Sequence, residues 1–270
     1  MTTIKASSGW IPLNLKELWQ ARELIFFLTW RDIKVRYKQT IIGAAWAILQ
    51  PFLTMVIFTV IFGHLAKMPS DGIPYPIFAY SALLPWQFFS HAVTESANTL
   101  IVNQQLVTKV YFPRLAMPLS ATFSGVVDFF FAFLVLIGMM VYYQTPLLIS
   151  VIYLPIFMVL AFMTALGVGL WLSALNVRYR DVRYTIPFLI QFWFFATPIA
   201  YPSSLVPEGW RFLYGLNPMV GVIEGFRWAL FGQSNELQGM IIFSGLIACV
   251  ICVSGMYYFK RMEKSFADVI

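Results

Sequence analysis

The sequence predicts an all-α, polytopic membrane protein with six transmembrane helices, an N-terminal amphipathic interfacial helix and external re-entrant half-helices. Three observations carry that prediction. Of its 270 residues 60% are hydrophobic and only 11% charged, where a soluble domain has about 25% charged residues. Six long apolar stretches fill most of the chain, and the mean hydropathy is +0.75. Fifteen of the 18 Lys and Arg residues fall on one side of those stretches once the N-terminus is placed inside.

A span needs ~20 mostly apolar residues, because each rises ~1.5 Å and the hydrocarbon is ~30 Å thick. The candidates are 43–65, 76–97, 115–142, 148–173, 184–201 and 239–259. The second is diluted by Gln87, His91 and Glu95, and the fifth is short and interrupted by Pro187. Basic residues near span ends mark the cytoplasmic side. They cluster before span one, between spans two and three (Lys109, Arg114), between spans four and five (Arg178, Arg180, Arg183) and after span six (Lys260, Arg261, Lys264). Only Lys67, Arg211 and Arg227 fall outside, so both termini are predicted to be cytoplasmic. The formal charge of +6 then reflects inside loops and anionic lipid rather than nucleic acid. The first 20 residues lack an uninterrupted apolar core, so no cleavable signal is expected and span one serves for insertion.

Residues 1–42 read as a cytoplasmic amphipathic preface to the membrane domain 43–270. Asn14 with Glu17 three residues on is a capping-box pattern, and Leu15, Leu18 and Trp19 share one face. Such a helix lies in the interface, apolar side down. Arg31, Asp32, Lys34, Arg36 and Lys38 then crowd the segment just before span one. They form either a lipid-anchoring collar or a docking surface for a cytoplasmic partner. The connection from Asn98 to Arg114 is too polar to span and too apolar for a free linker; its middle predicts a short amphipathic helix ended by Pro113. The external segment 202–238 holds two moderately apolar pieces hinged at Asn217-Pro218, with half-helices expected over 208–231. Glu224 and Arg227, three apart, are placed to pair on one helix face.

The chemistry that is missing narrows the function. No G-x-x-x-x-G-K-[ST] loop, H-E-x-x-H or G-x-S-x-G motif occurs, so ATP hydrolysis, metalloprotease and hydrolase readings have no support. Cys249 and Cys252 sit inside the sixth apolar stretch as small packing residues, and no metal set is expected. Intramembrane carboxylates are few. Glu95 lies near the cytoplasmic end of span two; Asp128 is deeper and is expected to meet a polar group on a neighbouring span, as glue or as a transport group. Aromatic rings are abundant: 26 Phe, 13 Tyr and 9 Trp. Phe188, Phe192 and Phe195 recur at helical spacing, with Trp193 and Tyr201 alongside, and span one carries Trp46, Phe52, Phe58 and Phe62. Each ring either packs helices or offers a flat face to the C–H face of a sugar. As sets, the two spans read as a conduit, while Phe129 and Phe133 are assigned to a lipid-facing stripe.

Three segments stand out: Trp30-Arg-Asp-Ile-Lys-Val-Arg-Tyr-Lys-Gln-Thr-Ile-Ile-Gly-Ala-Ala-Trp46 running on to Gln50-Pro51, Asn176-Val-Arg-Tyr-Arg-Asp-Val182, and Leu216-Asn-Pro-Met219 ahead of Gly225-Phe-Arg227. Together they resemble the polysaccharide-export permeases of the ABC-2 type, which serve O-antigen, capsule and wall teichoic acid. The resemblance implies a homodimer joined to two copies of a separate ABC ATPase, which alone holds ATP and Mg²⁺, in a bacterial inner membrane. The cargo it implies is an undecaprenyl-type lipid-linked polysaccharide, passed through a channel lined by spans one and five. It further implies that Arg31, Asp32, Arg36, Tyr37, Lys109, Tyr111, Phe112 and Arg114 face the ATPase. Trp210, Tyr214, Asn217, Pro218, Glu224 and Arg227 would form an external gate. Competing readings are an ABC-2 permease for another lipid or drug cargo, a membrane enzyme acting on lipid-linked sugars, and an ion-driven transporter. The scarcity of intramembrane acids disfavours the last two.

Overall fold

The computed structural model describes residues 15–38, 43–146, 148–232 and 238–266, and among them it contains eleven α-helices and no strand. Asn14 and the Gln39–Ile42 part of the first motif lie outside the described residues. Helices α1 (Leu15–Gln20) and α2 (Arg22–Lys38) form the preface. Helix α3 (Gly43–Phe58) runs directly into a π-helical stretch, Thr59–Leu65. Next come α4 (Tyr75–Val102), the short α5 (Gln104–Lys109) and α6 (Ala116–Tyr142). A 3₁₀ turn over Ile149–Tyr153 leads into α7 (Leu154–Arg178), and α8 (Val182–Phe195) follows a tight turn. Then α9 (Glu208–Gly215) and α10 (Pro218–Phe231) precede α11 (Gln238–Met262).

Four of these stretches are long and apolar enough to cross a bilayer: Ala45–Leu65, Ala116–Tyr142, Ile149–Arg178 and Gly239–Met262. The two weakest candidates in the sequence are weak for different physical reasons. Helix α4 has length to spare, about 42 Å at 1.5 Å per residue. It is polar because it is the centre of the bundle, packed against α3, α6, α7, α8 and α10, with Ser81, Ser96 and Thr99 buried. Most of its side chains meet protein, so lipid does not select their polarity, while Gln87 and His91 are half-buried and Glu95 is exposed. Helix α8 has 14 residues and rises only about 21 Å. Thr197-Pro198 ends it, since proline has no N–H and biases the residue before it away from helix. The expected fifth span, 184–201, is therefore a short helix followed by an irregular corner.

The core falls into two clusters. One lies at the basic end, where Leu28, Leu100, Val107, Leu115, Val177, Phe259 and Phe266 gather. There Arg114 donates to the Glu263 carbonyl at 2.6 Å, and Glu263 pairs with Lys260 at 2.6 Å. The larger cluster fills the middle and the far end, from Phe88 and Phe89 to Tyr75, Ile199, Met219 and Phe226. Helices α7 and α11 approach closely through small residues. A Cβ on Gly255 would lie 2.4 Å from the Gly167 carbonyl oxygen, and one on Gly167 would lie 2.7 Å from the Cys252 Cα. This is the small-residue packing typical of membrane helices. Trp171 stacks on Tyr258 along the same seam, centroids 4.0 Å apart.

One expectation needs correction here. Phe129 and Phe133 are half-buried: Phe129 meets Phe88 and Phe226, and both pack on the larger cluster. The outward stripe of α6 is instead Phe123, Phe130 and Leu134. The second expected half-helix is α10 (Pro218–Phe231), and it packs into the bundle. Met219, Val220, Val222, Ile223, Phe226 and Ala229 of α10 are buried, packed against α4, α7 and α11. Protein supplies the cover that irregular backbone in a membrane protein requires.

Candidate functional site: an aromatic face and its two ends

Helix α8 presents one uncovered aromatic face. Phe188, Phe192 and Phe195 are 71%, 68% and 64% exposed, and Tyr184 continues the stripe toward the basic end at 81%. Positions 184, 188, 192 and 195 share one side of a 3.6-residue helix. Sequence reading missed Tyr184, because a tyrosine at a span end reads as an interfacial anchor. Trp193 and Phe194 point the other way. Trp193 packs edge-on to Phe89 at 5.0 Å, and Phe194 meets Trp86 at 5.5 Å and Phe58 at 5.8 Å.

The span-one set is therefore split. Phe58 and Phe62 meet edge-to-face at 5.2 Å and join the core through Phe194. Trp46 is exposed. Phe52 lines an apolar groove of about 550 Å³ between α3, its π-helical extension and α6, with Met55, Thr59, Gly138 and Tyr142. The structure unites the α8 rings into one face and does not bring Phe58, Phe62 or Trp193 onto it.

The corner after α8 is held by side chains from several elements. The Asn217 amide donates to the Ala196 carbonyl at 3.2 Å and to Thr197 Oγ1 at 2.9 Å. Asn217 Oδ1 accepts from Trp193 Nε1 at 2.7 Å and from the Met219 N–H at 3.0 Å, capping α10 with Pro218 in its first turn. Tyr75 donates to the Ala200 carbonyl at 2.7 Å. Arg227 Nη2 donates to the Ile199 carbonyl at 3.1 Å, Nη1 to Glu224 Oε1 at 3.2 Å, and the guanidinium lies 3.6 Å from the Phe78 ring centroid. The pairing expected from the i, i+3 spacing is thus present and buried. Tyr214 donates to the Tyr201 hydroxyl, which donates to the Phe195 carbonyl. Burial, then the Tyr201 bond, pushes the Tyr214 phenol well above its ordinary value. Of the expected gate residues, Asn217, Pro218, Glu224, Arg227 and Tyr214 converge on this corner, while Trp210 is exposed on α9.

At the basic end the expected coupling residues divide. Tyr111 is 94% exposed, Lys109 is exposed, and Phe112 rests on the smaller cluster. Arg114 is tied to Glu263 by its backbone N–H and its side chain. The short helix expected in this connection is α5, anchored by buried Val107 and ending four residues before Pro113. In the preface, Arg31 pairs with its neighbour Asp32 at 2.8 Å. Arg36 and Tyr37 both bind the carboxylate of Asp128. The partner of Asp128 is therefore the preface helix α2 rather than a neighbouring span. Burial, then the Asp128 bond, raises the Tyr37 phenol well above its usual value. Helix α2 leaves Phe26, Phe27 and Val35 exposed in the single chain. Among the described residues no group of three His, Cys, Asp or Glu is placed to hold a metal.

A helical bundle with four clear span candidates around a central helix defines a multi-pass membrane protein. Residues 23–231 match the ABC-2 type transporter model, and the chain belongs to that family. It is 30% identical over 251 residues to the O-antigen export system permease protein RfbA of Klebsiella pneumoniae, covering 92% of this chain and 95% of that one. It is 28% identical over 260 residues to RfbA of Myxococcus xanthus, covering 95% and 98%. The polysialic acid transport protein KpsM of Escherichia coli is 25% identical over 240 residues, covering 87% and 92%.

Proposed function

We propose that this chain is the permease subunit of an ABC exporter that carries a lipid-linked, O-antigen-like polysaccharide across a bacterial inner membrane. The observation that carries the reading is the end-to-end correspondence with O-antigen export permeases, over 92% and 95% of this chain. The chain works as a transport subunit and leaves ATP and Mg²⁺ to a separate ATPase. Six crossings are assigned: α3 with its π extension, α4, α6, α7, α8 with its corner, and α11, with residues 1–42 as the preface. Both termini are cytoplasmic, supported by the 15-to-3 division of basic residues.

The conduit needs two copies. The α8 stripe lies on the outside of a single chain, so a second copy facing it is required to enclose a path. Rings then supply weak, repeated stacking that lets a polymer slide, each contact on the scale of ~1 kcal/mol. The two ATPases dock at the basic end, where Tyr111, Lys109 and α2 are exposed. The corner around Asn217 and Arg227 fixes the outer end of the stripe and acts as the gate. A capsule-type glycan is the second cargo reading, favoured by the KpsM correspondence.

The test is complementation. The chain is co-expressed with an ABC ATPase in a bacterium whose own O-antigen permease is deleted, and glycan is detected on intact cells. Surface glycan is expected. Glycan that stays inside, with the complex assembled and hydrolysing ATP, overturns the reading. The topology is checked with single cysteines at Ser7, Ser204 and Ser265 in a background free of Cys249 and Cys252. Only Ser204→Cys is expected to react with an impermeant thiol reagent in spheroplasts.

A further inference from the structure

The chain folds back after α11. It turns through one 3₁₀ stretch, Glu263–Ser265, and Phe266 comes to rest fully buried. Phe266 meets Phe259 edge-on, ring centroids 5.2 Å apart. The cluster that receives it also holds Leu28 of α2, Leu100 of α4, Val107 of α5 and Leu115. A C-terminal side chain is thus packed into the same cluster as the preface and the α4–α6 connection. Those are the two parts of the basic end where the ATPase is placed.

Glu263 fastens that connection with its own atoms. Its Oε1 accepts from the Arg114 backbone N–H at 3.1 Å, and its carbonyl accepts from Arg114 Nη1 at 2.6 Å. Its Oε2 pairs with Lys260 at 2.6 Å. The two residues hold each other at two points, backbone to side chain in each direction. Arg114 stands just before α6, where Leu115 offers no side-chain cap. A carboxylate there complements the partial positive charge of the helix end. The negative group at the start of α6 therefore comes from the far end of the chain, 149 positions from Arg114.

What this tie secures is a loop with little other support. Val110 is extended, and Tyr111 beside it is 94% exposed. Phe112 is only partly buried, against the smaller cluster. A segment with few buried contacts opens at little cost. A loop that yields cannot pass a displacement from a docked partner into the helices behind it. Held at Val107 on one side and at Arg114 on the other, the segment presents Tyr111 from a fixed base. Arg114, expected from the sequence to face the ATPase, is committed to this internal tie.

We propose that the C-terminal turn is the brace of the ATPase-contact loop, with Glu263 a positioning residue that couples ATP hydrolysis to transport through Arg114. This rests on the reading that Tyr111 and Lys109 meet the ATPase. It adds that the tie joins the start of α6 to the end of α11, so a push on Tyr111 reaches both helices at once. Helix α11 passes it to α7 through the close Gly167–Gly255 seam.

The experiment uses the full-length chain assembled with its cognate ABC ATPase. Hydrolysis and hydrogen exchange are measured on the complex in nanodiscs, and surface glycan is measured on cells at matched membrane level. Glu263→Ala should still assemble and hydrolyse ATP, while surface glycan per ATP hydrolysed falls severalfold. Exchange in residues 104–114 should speed up about tenfold or more, the scale of a lost charge-assisted bond, with α7 still protected. Glu263→Gln keeps an oxygen that accepts from the Arg114 N–H and should recover part of both. A merely structural role would lower the membrane level and leave glycan per ATP unchanged. Arg114→Met loses only the guanidinium bond; it should move both readouts the same way by a smaller factor, and it replaces Glu263→Ala if that variant fails to accumulate. Unchanged exchange in 104–114, or unchanged glycan per ATP, overturns the proposal. A photo-cross-linking residue in place of Tyr111 separates the two readings. Capture of the ATPase there, with exchange and coupling unaltered in Glu263→Ala, refutes the brace alone. No capture refutes the docking reading and the coupling role with it.

Discussion

Replacing Glu224 with leucine strands the Arg227 guanidinium inside the protein. The two side chains are 8% and 5% exposed, and Arg227 would keep as direct contacts the Ile199 carbonyl and the Phe78 ring, with the Asp71 carboxylate further off. Its Nε already lacks a partner. Breaking a buried pair by removing one member costs about 3–5 kcal/mol, because the remaining charge is uncompensated. In a chain of this size each kcal/mol moves the melting temperature by roughly 2–4 °C. Glu224→Leu should therefore melt roughly 6–20 °C below wild type, read as the monodisperse fraction after heating in nanodiscs. The double variant Glu224→Leu/Arg227→Met exchanges the ion pair for an apolar one, which is often neutral. It still leaves the Ile199 carbonyl without its donor, a loss of about 1–3 kcal/mol. The double variant should thus be more stable than the single one. A single variant melting within about 2 °C of wild type, or a double variant melting below the single, refutes the assignment of the pair as the brace of the corner.

Phe188→Leu/Phe192→Leu keeps apolar bulk but removes two stacking faces; surface glycan should fall while membrane level holds, and Phe130→Leu on the outward stripe of α6 should change neither. Asp128→Ala removes the shared acceptor of Arg36 and Tyr37; hydrogen exchange in Arg22–Lys38 should speed up roughly tenfold or more while α6 stays protected, the scale of a lost charge-assisted bond. Unchanged exchange in that helix would remove Asp128 as its anchor. Gly255→Val places a side chain into the α7 backbone and should abolish stable expression, whereas Gly138→Val, whose Cβ meets nothing within 4 Å, should express normally. Equal expression of the two would show that the α7–α11 seam can open.

Hydropathy shows a helix only where lipid selects its residues, and that explains what was legible in the sequence. Residues 43–65, 115–142, 148–173 and 239–259 read directly as spans because much of their surface is uncovered by protein. The Glu224–Arg227 pair was legible because its partners share one helix turn. The Asp128 contacts were not, since Arg36 and Tyr37 lie 92 and 91 positions away. The burial of α10 was equally hidden: a short apolar helix has the same composition on lipid or in a core. The face of α8 was visible in the spacing of Phe188, Phe192 and Phe195, but spacing alone could not say that Trp193 turns inward to Asn217. Phe129 and Phe133 were misplaced for a related reason. Phenylalanine suits lipid and core equally, and only the packing of α6 on Phe88 and Phe226 decides between them.

The central position of α4 bears on how the protein is made. A ribosome delivers α4 before α6, α7 and α10, the helices that cover it. Gln87 and His91, half-buried in the finished bundle, thus reach the membrane while their protein surroundings are still unsynthesised, and Glu95 is exposed even afterwards. Charged side chains raise the cost of partitioning a lone helix into lipid, by about 2.5–3.5 kcal/mol for Asp at the helix centre. Helix α4 must then wait in the insertion machinery or at the bilayer edge until at least α6 and α7 have emerged. Biogenesis of this chain is a joint event of several helices, and truncation anywhere before Arg178 should leave α4 exposed to membrane proteases.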